Sequence, residues 1–171
     1  MTKVIINAFG PDKPGIVYKI SAIILSYKGN IENSKMIRLE SDFTCIMLIS
    51  IPENKIIPLK KELSKIKPIN INLKITDKFS LKEKYNRYNF SITVSDDEGI
   101  IFLFSKIFSD NKINIEKMET DIRNAPITGS PIFILDSILI IPKDLNLDKF
   151  KKTLNKISKK NNIDYKLFKS K

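Results

Sequence analysis

Apolar positions along the chain alternate with polar ones in some segments and recur every three or four residues in others. In the first half, alternation predicts strands at residues 3–9, 30–39, 43–51 and 71–75, with a hairpin turn at residues 40–42. Helical spacing predicts one helix from Gly15 to about Ser26 and a second with Pro58 in its first turn. The predicted order of elements is therefore βαββαβ.

The second half repeats this succession. Strands are predicted at residues 88–94, 113–122, 132–141 and 165–168, and helices at residues 100–111 and 147–161. The repeat is present in the residues as well as in the pattern, because the tripeptide Asn-Ile-Glu occurs once in each half. Both halves are therefore expected to form the same unit.

Matching residues in the two halves give the offset between the repeats. Gly99 lies 84 positions after Gly15 (99 minus 15), and the two Asn-Ile-Glu segments have the same offset. Beyond the hairpin, Pro142 lies 90 positions after Pro52 (142 minus 52). The difference places six extra residues in the second hairpin, around the segment NAPITGSP at residues 124–131.

A repeated βαββαβ unit predicts an α+β, ferredoxin-like fold, in which two helices cover one face of an antiparallel four-stranded sheet. We expect two such domains in tandem, at residues 1–77 and 88–171. The polar segment at residues 78–87 is expected to be the linker between them.

The junction between the first strand and the first helix carries the most informative residues. Gly15 permits a tight turn and the close approach of another group, and Pro14 removes a backbone donor just before the helix. The free amides of the first helical turn favour a carboxylate, whereas Asp12 accepts from an ammonium group and Asn30 offers both a donor and an acceptor. These groups are suited to holding both ends of a free amino acid. The alternative is a capped turn in which Asp12 satisfies the helix start.

The composition argues against several classes of chemistry. The chain contains no histidine, which removes a Ser-His-Asp triad and the usual zinc ligands. It also shows no paired-carboxylate motif or Gly-rich phosphate loop, so we expect neither an enzyme nor a cofactor. Cys45 is the single cysteine, is expected to be a buried hydrophobe, and fits a reducing compartment. Without a signal-like or membrane-spanning segment, a cytoplasmic location is expected.

The net charge of +11 raises the alternative of a nucleic-acid binder. Only 3 of the 30 basic residues are arginine, and lysine is the weaker choice for bidentate recognition. In the helix predicted at residues 147–161, the lysines lie opposite an apolar stripe, which is typical of a solvated face. Non-specific binding driven by charge remains an alternative, without sequence-specific contact to DNA.

The Asp-x-Pro-Gly turn at residues 12–15, followed 15 residues later by Asn-Ile, is similar to the turn of ACT domains, which are small-molecule-binding regulatory modules. The whole chain resembles tandem ACT proteins of the glycine cleavage system transcriptional repressor family. The segments that carry this resemblance are GPDKPGIV, GNIENSKM, FTCIMLIS and NINIEKMETDIRNAPITGSPIF.

The resemblance implies that ACT units pair side by side, often into an eight-stranded sheet, with amino-acid ligands at the seam. The implied ligand-binding residues are Asp12, Lys13, Gly15, Ile16, Asn30 and Ile31 in the first copy and Asp96, Gly99, Ile100, Asn114 and Ile115 in the second. In the second copy Asp97 and Glu98 replace Lys13 and Pro14. Three consecutive acids would repel a ligand carboxylate, so the first site is favoured.

The function that the resemblance implies is an amino-acid sensor, with glycine or a similar amino acid as ligand. Such a protein would act as a homo-oligomer through a protein partner such as a transcription factor. The alternatives are a ligand-independent pairing module and the basic nucleic-acid binder. The segment at residues 124–131 either covers a ligand seam or contacts a partner, or it is a wide hairpin that Pro126 and Pro131 stiffen.

Overall fold

The structure, a computed structural model, describes residues 1–76, 84–95, 99–126 and 129–170. The chain forms the order βαββαβ twice, in two compact units, Met1–Phe79 and Ser80–Lys171. The first unit contains β1 (Thr2–Pro11), α1 (Ile16–Ser26), β2 (Asn30–Leu39), β3 (Asp42–Ile51), α2 (Ile56–Leu63) and β4 (Asn70–Ile75). The second contains β5 (Tyr85–Ser95), α3 (Ile100–Asp110), β6 (Asn114–Asn124), β7 (Pro131–Pro142), α4 (Leu147–Asn161) and β8 (Asp164–Lys169).

Each unit has one antiparallel four-stranded sheet. The strand order is β2-β3-β1-β4 in the first unit and β6-β7-β5-β8 in the second, so β2 and β6 are edge strands. This is the predicted ferredoxin-like fold, and it follows from the alternation of side chains. In β1, Val4, Ile6 and Ala8 are fully buried, whereas Asn7 and Phe9 on the opposite face are exposed.

Each unit also has its own hydrophobic core between the sheet and its two helices. Helix α1 buries Ile16, Ile20 and Ile24, one side chain per turn, and α2 contributes Leu59 and Leu63 to the same core. Pro58 lies in the first turn of α2, as predicted, where a missing amide donor costs little. The spacing of three and four residues thus decides which helix faces are covered.

The second core is built around aromatic rings. Phe90 packs edge-on against Phe108, with ring centroids 5.1 Å apart, and lies 5.4 Å from the ring of Phe104. In the first unit Cys45 is buried within the sheet, as predicted, and burial raises the pKa of its thiol.

The strand registers confirm both repeat offsets. Ala8 pairs with Cys45, and Ile92 pairs with Leu135, which are the same positions displaced by 84 and 90. The extra hairpin residues form the additional pair Asn124–Pro131 and a longer connection between β6 and β7. That connection is closed by its own backbone, since the Ala125 amide donates to the Ser130 carbonyl at 2.8 Å.

Several element boundaries differ from the sequence predictions. Strand β1 continues to Pro11, because Gly10 and Pro11 still pair with Phe43 and Asp42. Strand β5 begins at Tyr85, inside the predicted linker at 78–87. Residues 77–83, 96–98, 127–128 and 171 lie outside the described residues, so the exact domain boundaries stay a prediction.

Two phenylalanines on α3 provide a matched test of the second core. Phe104 is 1% exposed and Phe102 is 73% exposed. We expect Phe104→Ala to lower the free energy of unfolding by about 3–5 kcal/mol, because it removes a ring and leaves a cavity. Phe102→Ala is expected to change it by less than about 0.5 kcal/mol. Urea denaturation followed by circular dichroism measures both, and equal effects would contradict this description of the core.

Candidate ligand site at the strand–helix turn

The turn after β1 is held against the hairpin between β2 and β3. The Asp12 amide donates to the Ser41 carbonyl at 2.9 Å, and the Lys19 amide donates to the Gly15 carbonyl at 2.9 Å as α1 begins. Gly15 has φ 88° and ψ 0°, a left-handed conformation that glycine adopts without steric cost. The chain therefore leaves the sheet and enters the helix within four residues.

The alternative of a capped helix start is not what the structure shows. Gly15 occupies the N-cap position of α1, and no side chain caps this helix. In the described part of the chain, the amides of Val17 and Tyr18 have no hydrogen-bond acceptor. Two donors at the positive end of the helix dipole are thus available to a carboxylate.

The face of the turn at Gly15 is open. A Cβ at Gly15 would lie more than 4 Å from every described atom apart from its chain neighbours. The side chains of Asp12 and Lys13, three and two residues before Gly15 in the same turn, are exposed, so the turn carries one carboxylate and one ammonium group. Ile16 is different, because its side chain is buried in the core and its backbone amide donates to the Lys13 carbonyl at 3.4 Å, so neither group is left for a ligand.

Asn30 and Ile31 do not lie near this turn in their own unit. Asn30 pairs with Ser50, which in turn pairs with Lys3 near the beginning of β1. The turn lies beyond the other end of β1, at a distance of about 30 Å for nine residues of strand. The expectation that Asp12 and Asn30 hold the two ends of one amino acid is therefore not met within a single unit, because β2 begins at the end of the sheet opposite the turn and β3 lies between β2 and β1.

The second unit repeats this geometry. Gly99 has φ 83° and ψ 4° at the N-cap of α3, again without a side-chain cap, and Ile100 is buried. Asn114 and Ile115 begin β6, where Asn114 pairs with Ile140 at the far end of the sheet from Gly99. Asp96, with the acidic residues that follow it, lies outside the described residues.

The Asn-Ile-Glu echo has a structural role that sequence reasoning missed. In each unit the ladder shifts at a β-bulge directly after the isoleucine, and the glutamate is the bulged residue. Glu32 forms an ion pair with Lys3, and Glu116 forms one with Arg87. Lys3 and Arg87 are also 84 residues apart, which was the available signal for these pairs.

Metal-binding clusters and membrane-spanning helices are both absent from the described residues. Within the described ranges, no three His, Cys, Asp or Glu side chains cluster in a way that could hold a metal ion. None of the described helices combines the length and apolar character needed to cross a membrane.

Comparison with known proteins finds a family that matches the first unit. Residues 2–71 match the family model of the ACT domain. The second unit repeats the topology of this matched region, so the chain is a tandem of ferredoxin-like units of which the first is similar to ACT domains.

A member of the family that the sequence was found to resemble is also similar to this chain. The glycine cleavage system transcriptional repressor of Escherichia coli (strain K12) is 30% identical to this chain over 118 residues. The aligned region covers 67% of this chain and 62% of that protein, so the chain spans less than two thirds of that relative's length.

Two solved structures share the fold over nearly the full length. A protein of unknown function from Galdieria sulphuraria has a TM-score of 0.88 at 23% identity and covers 99% of each chain. A structure provisionally named as a glycine cleavage system transcriptional repressor has a TM-score of 0.70 at 18% identity, covering 99% of this chain and 98% of its own. These matches establish the likeness of fold.

Substitutions at Gly15 and Gly29 separate backbone conformation from packing. Gly15→Ala is expected to lower the free energy of unfolding by about 1 kcal/mol, because the left-handed conformation is strained for alanine. Gly15→Asn is expected to cost less, because asparagine tolerates this region.

At Gly29 the constraint is steric, since a Cβ would lie 2.8 Å from Cγ2 of Ile24. Gly29→Asn should therefore be worse than Gly29→Ala, the reverse of the order at Gly15. Urea denaturation of the four variants measures these changes in the free energy of unfolding. If alanine and asparagine rank in the same order at both positions, the constraint is not conformational at Gly15 and steric at Gly29.

Proposed function

We propose that the protein is an amino-acid-responsive, non-catalytic regulator that binds its ligand at the Asp12–Ile16 turn. The observation that carries this proposal is the uncapped start of α1 beside an open glycine. The two unsatisfied amides offer a site for a carboxylate, Lys13 adds positive charge, and Asp12 offers an acceptor for the ammonium group. A free amino acid presents both of these groups.

One unit supplies only one wall of such a site, and a second copy of the chain would supply the other. Leu39 pairs with Asp42, which pairs with Pro11, so the end of β2 lies beside the turn. The outer edge of β2 is unpaired within the described sheet. If two β2 edges pair antiparallel about a two-fold axis, Asn30 of the second copy comes to the Asp12 turn of the first.

The proposed output is regulation of a protein partner, such as a transcription factor, in the cytoplasm. Similarity to a glycine cleavage system transcriptional repressor supports this output and makes glycine the first ligand to test. Ligand binding would act by favouring one assembly or partner-binding state over another, which requires different affinities for the two states.

A ligand-independent pairing module is the second candidate. The observation in its favour is the exposed apolar side chains near the end of β2, where Ile37 is 51% and Leu39 is 65% exposed. An unpaired edge with exposed apolar side chains is a surface on which another strand can add. This candidate predicts a stable oligomer that does not respond to amino acids.

Isothermal titration distinguishes the two candidates. We expect glycine, or another small amino acid in a panel with serine and alanine, to give saturable heat. Asp12→Ala and Asn30→Ala should each abolish it, because each removes one wall of the site. Asn70→Ala is the matched control, since Asn70 is an exposed asparagine that begins the opposite edge strand, β4. No saturable heat across the panel would favour the pairing module.

A mixing experiment tests the two-copy site directly. When the Asp12→Ala and Asn30→Ala proteins are combined and allowed to exchange, about one quarter of the first-unit sites should regain both wild-type walls in a two-fold dimer. Recovery to that level supports a site built from two copies. Absence of any recovery, with exchange confirmed, would contradict it.

A further inference from the structure

A cavity of about 750 Å³ opens in the second unit, at the opposite end of β5 from Gly99. It lies where β5 begins, where α3 ends and where β7 leads into α4, and its lining includes Lys84, Tyr85, Lys112, Lys143, Asp144 and Leu145. None of its lining residues belongs to the candidate amino-acid site. A volume of this size is within the range of small-molecule sites, roughly 300–1,000 Å³.

The charge of the cavity is unbalanced. Three exposed lysines, Lys84, Lys112 and Lys143, meet one carboxylate, that of Asp144. Among the described residues, none of these ammonium groups has an ion pair or a hydrogen bond. A concave surface concentrates the field of such charges, so the cavity attracts anions.

The next element adds to this field. The connection at residues 143–145 leads directly into α4, whose N-cap Asn146 accepts from the Lys149 amide at 2.9 Å. The positive end of a 15-residue helix therefore begins next to the lysines. The end of α3 also lies at the cavity and contributes partial charge of the opposite sign, although its Ile107, Phe108 and Ser109 carbonyls accept from the amides of residues 111–113. The excess positive charge of the cavity therefore comes from the lysines.

A backbone hydrogen bond joins two of the segments that carry the lysines. The Lys143 amide donates to the Lys84 carbonyl at 2.9 Å, which ties the start of β5 to the end of β7. Lys112 follows α3 in a left-handed conformation with φ 56°, where glycine would be less strained. The position thus holds a lysine at a conformational cost.

The first unit has the same backbone at this place but a different charge. Lys28 occupies the position of Lys112, also left-handed with φ 60°. Pro52 corresponds to Pro142, and the next residue is Glu53 where the second unit has Lys143. Asn54 and Lys55 stand where the second unit has Asp144 and Leu145, so the matching positions of the first unit carry a net charge of one positive unit, against two in the second. Glu53 shows that this position accepts a glutamate.

We propose that this cavity is a second ligand site, for a small organic phosphate with an aromatic or apolar body. The lining carries a net charge of two positive units, from three lysines and one aspartate, which matches a phosphate monoester of about −1.5 to −2. Lysine binds phosphate as a point charge and needs no bidentate geometry. The half-exposed ring of Tyr85 and the side chain of Leu145 form an apolar wall for the rest of the ligand.

Titration calorimetry with AMP, inorganic phosphate and adenosine, in buffer of about 0.15 M ionic strength, tests this site. We expect saturable binding of AMP, weaker binding of phosphate, and no binding of adenosine. Lys143→Glu should weaken AMP binding by about tenfold or more, because it replaces an attractive charge with a repulsive one. Lys28→Glu is the matched control in the first unit and should change the affinity by less than twofold.

A second pair of variants separates binding from folding. Lys112→Gly should raise the melting temperature, by relieving the left-handed lysine, while weakening AMP binding. Lys28→Gly should raise the melting temperature and leave the affinity unchanged. The proposal is overturned if AMP shows no saturable binding at millimolar concentration. It is also overturned if Lys28→Glu weakens binding as much as Lys143→Glu, since the attraction would then be a general effect of charge.

Discussion

The candidate site depends on the direction of helix α1, which runs back along the sheet from the end of β1 toward its beginning. Eleven residues of helix span about 16 Å and carry the chain from the Gly15 turn back toward the beginning of β1. Strand β2 must therefore begin at that end, opposite Ser50 and Lys3, and it reaches the turn only where it ends. A unit of this topology presents the turn and the first residue of β2 at opposite ends of one sheet.

Because of this constraint, the edge strand β2 is the part of the proposal that would complete the site. The turn offers free amides, an open glycine and two charges, but the polar group that would complete an amino-acid site is about nine residues of strand away. Antiparallel pairing of two β2 edges exchanges these ends and supplies each turn with the Asn30 of the other copy. In this proposal, ligand binding and assembly are linked, because the ligand site exists only in the assembled form.

The two units show how a repeated backbone acquires different chemistry. The left-handed glycine, the β-bulge with its ion pair, and the left-handed lysine after the first helix occur in both. The differences lie in exposed side chains, such as Glu53 in one unit and Lys143 at the matching position in the other. Such changes alter the electrostatic field of a surface without disturbing the core beneath it.

The sequence predicted the fold well because periodic burial decides it. Alternation in β1 and helical spacing in α1 are both consequences of one covered face, and the repeat offsets of 84 and 90 reappear as strand registers. The start of β5 was misplaced, because residues 85–87 pair with β7 beyond the end of β8, where they are exposed or half-buried and show no apolar alternation. The position of Asn30 was also misjudged, because strand order within a sheet depends on pairing between distant segments. The cavity proposed to bind phosphate could not be predicted from the sequence, since its lysines lie in three separate segments, before β5, after α3 and after β7.

The concentration dependence of glycine affinity tests the central claim most directly. If the first-unit site requires residues from two copies, the apparent glycine affinity must rise as the protein concentration passes through the range in which sedimentation velocity detects assembly. Glycine must also raise the association constant of the protein by the same factor by which assembly raises the glycine affinity. Glycine affinity that is constant across this range, with binding to the monomer, would show that one copy holds the complete site and would contradict the account.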